Sequence, residues 1–147
     1  MGAKEFRKMD YSRREMCLLL PALTMAFKAQ GSSAQVLPSK AYAFESLKAQ
    51  ADGPNKFRPI LDGETHDGFH IELHSTDLAP GAMPHPPHHH VHEEIFLVRE
   101  GTVVVTISGR ESTLGPGGVA YVASGDEHGI RNTGTTHAQY FVFELGA

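Results

Sequence analysis

The most chemically informative part of the sequence is a short histidine-rich stretch in its second half. Five of the ten histidines lie between positions 85 and 92, and imidazole is the commonest side-chain metal ligand. His88, His90 and Glu94 are two and four positions apart, so their side chains point to one face if the chain is extended. The stretch therefore predicts two nitrogen donors and one oxygen donor that converge at the start of a β-strand.

A fourth donor must come from elsewhere in the chain, and His128, in the sequence GDEHGIRN, is the candidate. Three nitrogens and one oxygen suit Mn, Fe, Ni, Cu or Zn, with coordination positions left open for water or substrate. The sequence therefore predicts a site for one divalent transition metal ion, whose identity the donor set does not fix.

The spacing around these residues resembles the two conserved motifs of the cupin superfamily. The first motif is a glycine, then HxH, a glutamate and a second glycine, and it is matched by Gly81, His88, His90, Glu94 and Gly101 with one extra residue after Gly81.

The second cupin motif follows after a short spacer and is matched by Gly117, Gly125, His128 and Asn132. Ala123 stands where the motif has proline, a departure that affects a turn and no ligand. The two motifs together cover residues 81–132.

The resemblance implies an all-β fold, a single small antiparallel jelly-roll barrel, with His88, His90, Glu94 and His128 as the metal ligands. It also implies a small-molecule ligand or substrate and a homodimer, because many cupins pair through their sheet faces. We expect a metal-dependent enzyme of dioxygenase-like activity. An isomerase and a non-catalytic module that binds a small ligand or the metal remain alternatives.

The other histidines have weaker assignments. His92 shares the parity of His90 and Glu94 and is an alternative ligand, although the cupin pattern leaves that position non-ligating. His85 and His89 are expected at the rim or in solvent, and His66 and His137 at the surface.

A strand that begins at Phe69 carries His70, Glu72 and His74 on one face. These three either form a solvated face or line the barrel mouth, and Glu72 is the nearest candidate for an acid or base.

The elements that must position the site are read from period-two alternation, which predicts β-strands. Strands are predicted in FHIELHST, EEIFLVRE, TVVVTIS, VAYVA and HAQYFVFEL, separated by glycine-rich turns. This pattern is typical of a sandwich or barrel. Residues 52–68 are rich in Gly, Pro, Asp and Asn and are predicted to be a loop. Residues 38–51 are predicted to be an arm, with a short edge strand around Tyr42 and Phe44.

Parity then predicts which side chains face the barrel interior. If Glu94 points inward, so do Phe96 and Val98, whereas Ile95, Leu97 and Arg99 point outward and need a cover from the N-terminal arm or a second subunit. The remaining pocket wall, or simply core, is predicted from Tyr121, Gln139, Phe141 and Phe143.

The N-terminal residues 1–34 resemble a twin-arginine export signal, with Arg13 and Arg14 before an apolar run and a cleavage site near Ser32 and Ala34. An amphipathic helix on the barrel is the alternative. The apolar run is too short to span a bilayer, so no stable membrane anchor is expected, and the protein would be periplasmic or extracellular. If the segment is no signal, the protein would be cytoplasmic.

Residues 35–68 would form the arm and loop, and 69–147 the barrel.

The charge distribution and the cysteine content exclude other functions. The net charge of −4 divides into +3 over residues 1–34, six basic against three acidic, and −7 over the rest, seven against fourteen. An acidic body lacks the basic footprint that nucleic-acid binding needs. Cys17 is the only cysteine, so no intramolecular disulfide forms, and removal of the signal would leave no thiol.

Overall fold

The computed structural model of the protein describes residues 36–146, so the predicted export signal lies outside the described residues. One 3-10 turn, Phe44–Ser46, precedes nine strands. The strands are β1 Gln50–Asp52, β2 Asn55–Glu64, β3 His70–Leu78, β4 Glu93–Glu100, β5 Val103–Ile107, β6 Arg110–Leu114, β7 Val119–Val122, β8 His128–Asn132 and β9 Ala138–Leu145. No helix within residues 36–146 has the length and apolar character to cross a membrane.

The strands form two antiparallel sheets, of six strands in the order β1-β2-β3-β9-β4-β7 and of three strands in the order β6-β5-β8. β9, the last strand of the chain, lies between β3 and β4. The predicted all-β jelly-roll fold is therefore confirmed. This topology brings the final strand beside the strand that carries Glu94.

The hydrophobic core draws on both sheets. Phe96, Val98 and Val142 come from the six-stranded sheet, and Val105 and Ile130 come from the three-stranded sheet. Along β4, buried and less buried residues alternate with period two, as the residue pattern predicts. The inward direction predicted for Glu94, Phe96 and Val98 is confirmed.

The loop predicted for residues 52–68 is wrong over most of its length, because Asn55–Glu64 form β2. Pro59 lies at a register shift between β2 and β3, a position where the missing N–H of proline does not break the ladder. The edge strand predicted around Tyr42 and Phe44 is also wrong, since residues 44–46 form the 3-10 turn.

The arm before β1 covers part of the outer face of the large sheet. The Phe44 ring packs edge-on against Phe141 with a centroid separation of 6.1 Å. The Arg99 guanidinium lies 3.9 Å from the Phe44 ring centroid, close enough for a cation–π interaction. Val119 and Tyr121, on β7, stay more than half exposed, so the cover is incomplete at that edge.

Candidate metal centre

The two segments that carry the imidazoles, the loop before β4 and the start of β8, are joined by backbone hydrogen bonds. His88 N–H donates to the His128 carbonyl at 3.0 Å, and His128 N–H donates to the His88 carbonyl at 2.8 Å. Gly125 N–H donates to the His90 carbonyl at 2.9 Å, with a φ of 82° that residues other than glycine adopt only under strain. The loop before β4 is therefore fixed directly to the start of β8.

Asn132 fixes the other end of the same loop. Its backbone N–H donates to Ala82 and its carbonyl accepts from Gly81, both at 3.0 Å. The fully buried side-chain amide donates to the carbonyls of Leu78 and Thr136 and accepts from Gly134 N–H. Asn132, the last residue of the second motif, therefore acts as a structural clamp on Gly81, the first residue of the first motif.

The four residues predicted as ligands lie together at one end of the pocket. His90 Nε2 is 3.1 Å from Glu94 Oε1, and His128 Nε2 is 3.2 Å from Glu94 Oε2. One ring nitrogen from each of His88, His90 and His128 lies within 4.8 Å of the other two. The sequence reasoning thus identified side chains that the fold brings into a single cluster.

The hydrogen bonds of two imidazoles set which nitrogen faces the cluster. His90 Nδ1 is 2.9 Å from the His92 carbonyl, and His128 Nδ1 is 2.9 Å from the Asp126 carbonyl. A carbonyl only accepts, so each Nδ1 carries the hydrogen and each Nε2 of a neutral ring presents a lone pair to the Glu94 carboxylate. Lone pairs at about 3 Å repel unless a proton or a metal ion lies between them. Both Nε2 atoms therefore face Glu94, which is the orientation that a metal-ligating imidazole with an outer hydrogen bond takes.

Burial favours a neutral imidazole at His88. Burial lowers the pKa of His88, and the nearby imidazoles of His85, His128 and His90 lower it further. His88 Nδ1 and His128 Nε2 are buried without a hydrogen-bond partner of good geometry. Because metal ions bind the neutral ring, these residues fit a divalent transition metal.

His92 also enters the pocket. Burial and the neighbouring His90 lower its pKa, and its ring stacks on that of His90 with a centroid separation of 3.5 Å. His92 Nε2 lies 3.6 Å from Glu94 Oε1 and 3.3 Å from Glu144 Oε2. One ligand atom from each of His90, His92 and Glu94 lies within 4.8 Å of the other two. These three side chains therefore form an alternative ligand set.

The cluster opens into a cavity of about 280 Å³ between the two sheets. Its wall is lined by Asp52, Phe57, His74, Thr76, Pro84, His85, His88, His90, His92, Glu94, Phe96, His128, Gly129, Ile130, Tyr140, Val142 and Glu144. His85 is at the rim, as predicted, while His89, His66 and His137 are exposed.

The wall predicted from Tyr121, Gln139, Phe141 and Phe143 is wrong, because none of the four lines the cavity. β9 pairs with β4 so that Glu144 lies opposite Glu94, and directly opposed residues share a face of the sheet. The inward side chains of β9 are therefore the alternate ones, Tyr140, Val142 and Glu144. The buried Tyr140 hydroxyl is hydrogen-bonded to Thr76, and burial raises its pKa.

Glu94 belongs to a row of four acidic residues that crosses four neighbouring strands. In this carboxylate row, Asp62 of β2 lies opposite Glu72 of β3, Glu72 opposite Glu144 of β9, and Glu144 opposite Glu94 of β4. The side chains become less exposed along the row, from 72% at Asp62 through 25% and 20% to 8% at Glu94. Sequence reasoning missed Glu144, although the alternation of HAQYFVFEL places it on the face of Tyr140 and Val142.

Burial raises the pKa of Glu144 to about 7, and the negative charges of Glu72 and Glu94 and a hydrogen bond with Glu72 add to the effect.

The histidines on the face of β3 that carries His70, Glu72 and His74 have different surroundings. His74 lines the cavity and its Nδ1 is 3.0 Å from Glu72 Oε1, whereas His70 pairs with the exposed Asp62 at 3.0 Å.

Comparison with known proteins gives one family and a set of similar structures. The cupin domain family matches residues 74–144. A cupin of Shewanella frigidimarina, described as RmlC-like, is 22% identical with a TM-score of 0.61, over 74% of this chain and 93% of that one. A predicted oxalate decarboxylase of Thermotoga maritima is 18% identical with a TM-score of 0.61, over 74% and 100%.

A third similar structure is the polyketide cyclase RemF of Streptomyces resistomycificus, at 19% identity and a TM-score of 0.60, over 75% of this chain and 81% of that one. No curated protein sequence matches the chain. At these identities the structures establish the fold, and the different activities in their names do not select one reaction.

Proposed function

We propose that this chain, whose residues 74–144 match the cupin domain family, is a metal-dependent enzyme that binds one divalent transition metal ion through His88, His90, Glu94 and His128. The observation that supports the proposal is the convergence of two Nε2 atoms on the two oxygens of one buried carboxylate, at 3.1 and 3.2 Å. Their Nδ1 atoms are already committed to backbone carbonyls. That arrangement is typical of ligands held by outer hydrogen bonds.

The bound ion would act as a Lewis acid and a template for an oxygen-bearing substrate. The protein's own residues would orient that substrate and exclude water from it. Phe96, Ile130 and Val142 form an apolar wall next to the imidazoles, and the buried Tyr140 hydroxyl lies on the same wall. Because the cavity is only about 280 Å³, the substrate is a small molecule.

The charge of the cavity restricts the substrate class further. None of the described residues that line it is Lys or Arg, whereas Asp52, Glu94 and Glu144 are acidic. A phosphate or carboxylate group would meet no fixed cationic side chain there. The cavity therefore favours neutral, weakly acidic substrates such as enediols, phenols or flavonols.

We propose a dioxygenase-like reaction on such a substrate, and oxygen uptake tests it. The metal-loaded protein is given a panel of enediols, flavonols and phenols, with oxalate and a sugar phosphate as anionic controls. Uptake with a neutral substrate that is lost in His88→Ala/His128→Ala supports the proposal. Uptake with none of the panel contradicts it, and solvent deuterium incorporation into a substrate without oxygen uptake would identify an isomerase instead.

We also propose a homodimer that forms through the outer face of the large sheet. Val119 and Tyr121 are more than half exposed beside the partly buried Ile95 and Leu97, and an apolar patch on a sheet face is a common subunit contact. Light scattering of the native chain and of Tyr121→Glu tests this. A dimer that becomes a monomer supports the proposal, and a monomeric native chain contradicts it.

Residues 1–34 remain a proposed export signal, supported by their order of basic, apolar and small residues. Expression of the full chain with Arg13→Lys/Arg14→Lys as the control tests it. Export and shortening of the native chain alone would support the proposal, and an unshortened chain in the cytoplasm would contradict it.

A further inference from the structure

We propose a second cation site at the wall of the same cavity, formed by Glu72, His74 and Glu144 with His92 as a fourth donor. It is separate from the proposed metal centre, since none of the four belongs to that ligand set. The site would take a divalent ion that accepts mixed nitrogen and oxygen ligands, such as Zn²⁺, Co²⁺ or Mn²⁺.

The geometry of the three core residues carries the inference. One ligand atom from each of Glu72, His74 and Glu144 lies within 4.8 Å of the other two. His74 Nδ1 is 3.0 Å from Glu72 Oε1, and its side chain is only 12% exposed. Glu72 and Glu144 are directly opposed on β3 and β9, so rigid strands rather than flexible loops hold the donors.

His92 would supply the fourth donor. Its Nε2 is 3.3 Å from Glu144 Oε2 and is buried without a hydrogen-bond partner of good geometry. His92 precedes β4 by one residue, so the site would join the strand pair β3–β9 to the loop that carries the first centre. The resulting set has two nitrogens and two carboxylates.

The local charge gives a reason for a cation at this position. Directly opposed like charges destabilise a sheet, yet Glu72, Glu144 and Glu94 follow one another across three strands. No Lys or Arg is among the described residues that line the cavity.

Metal stoichiometry of the full chain tests the proposal. The protein is stripped with a chelator and titrated with Co²⁺, with binding followed by visible absorption and by metal content after gel filtration. We expect two equivalents in the native chain and one in Glu72→Gln/Glu144→Gln. The glutamine variants keep the side-chain volume and remove the repulsion, so the fold should be retained, and circular dichroism checks this.

Two further variants separate this site from the proposed function. His88→Ala/His128→Ala should keep one equivalent, and adding Glu72→Gln/Glu144→Gln to it should remove that one. Asp77→Asn/His137→Ala is the matched control, because it removes an exposed imidazole–carboxylate pair with a separation of 2.9 Å, and it should leave two equivalents.

One equivalent in the native chain that His88→Ala/His128→Ala abolishes would overturn the second site and leave the first intact. Two equivalents that survive Glu72→Gln/Glu144→Gln would overturn it as well. One equivalent abolished only by Glu72→Gln/Glu144→Gln would support the second site and contradict the first.

Discussion

The cavity has two sides that differ in how their polar groups are held. On the loop side, His88, His90 and His128 are carried by segments joined through backbone hydrogen bonds, and their rings converge on Glu94. On the sheet side, Glu72 and Glu144 are held by the β3–β9 ladder as opposed like charges. The donors of the loop side converge as the ligands of a cation would, whereas the sheet side carries opposed negative charges that a bound cation would neutralise.

This contrast has an energetic consequence. The loop side places imidazoles around the single carboxylate of Glu94, so its donors are not paired across a ladder with like charges. On the sheet side, opposed carboxylates lower the stability of the folded, metal-free protein, because burial and neighbouring carboxylates raise the pKa of Glu144. Substitutions of the loop-side imidazoles should therefore act mainly on binding, and substitutions of the sheet-side carboxylates mainly on stability and its pH dependence.

The largest effect is expected from the loop side. Removal of residues that only support a metal ligand typically costs about 10–100-fold in affinity, so His128→Ala should weaken binding at the first centre by more than about 100-fold. Competition with a chromogenic chelator measures it. The exposed His137→Ala should bind like the native chain, and equal affinities in all three proteins would remove His128 from the ligand set.

The next effect tests the clamp that holds the loop side in place. Asn132→Ala removes a fully buried amide and leaves the carbonyls of Leu78 and Thr136 without their donor. We expect the free energy of unfolding to fall by about 2–3 kcal/mol. Urea unfolding measures it, with the exposed Thr113→Ala as control. An unchanged midpoint would mean that the clamp contributes nothing.

A smaller, pH-dependent effect is expected on the sheet side. The folded-state pKa of Glu144, about 7, is above its ordinary value of 4.5, so the folded state holds the extra proton between these pH values. The contribution of Glu144 to the stability of the metal-free protein should therefore fall as pH rises from about 4.5 to about 7 and level off above that range, whereas the lowered pKa values of His88 and His92 act in the opposite direction. Glu144→Gln should remove about 2 kcal/mol of this loss, less than the full pKa shift implies, because solvent screens a partly exposed carboxylate.

Urea unfolding in the presence of a chelator, from pH 4.5 to 8, measures the Glu144 effect. Glu100→Gln, which changes a 67% exposed carboxylate at the end of β4, is the matched control and should leave the pH profile unchanged. A Glu144→Gln profile identical to that of the native chain would show that the sheet side carries no such charge penalty.

The smallest effect is expected at the exposed end of the carboxylate row. Asp62 is 72% exposed and pairs with His70 at 3.0 Å, and exposed ion pairs contribute about 0–1 kcal/mol. Asp62→Asn should change the free energy of unfolding by less than about 0.5 kcal/mol. A loss as large as that expected from Asn132→Ala would show that the row acts as one network.

The same contrast explains what could be predicted from sequence. The loop side depends on fixed spacings within two short segments, so His88, His90, Glu94 and His128 could be identified from their pattern. The sheet side depends on which strands are neighbours and in what register. Glu144 and Glu72 are 72 positions apart in the sequence, and only the placement of β9 beside β3 makes them contact.

Two errors have the same physical origin. The wall predicted from Phe141 and Phe143 has the wrong parity because the β4–β9 register, which places Glu144 opposite Glu94, was unknown. β2 was predicted as a loop because Pro59 and Gly63 are poor strand residues, yet a register shift accommodates Pro59. In both cases the pairing between strands, rather than the local composition, determined the structure.

The position of the metal in a crystal of the loaded protein tests most directly whether His88, His90, Glu94 and His128 are the ligands. An anomalous difference map at the absorption edge of the added metal locates the ion independently of any assumed ligand. We expect a peak coordinated by ring nitrogens of His88, His90 and His128 and by a Glu94 oxygen. A fully loaded protein with no peak among these four side chains would contradict it.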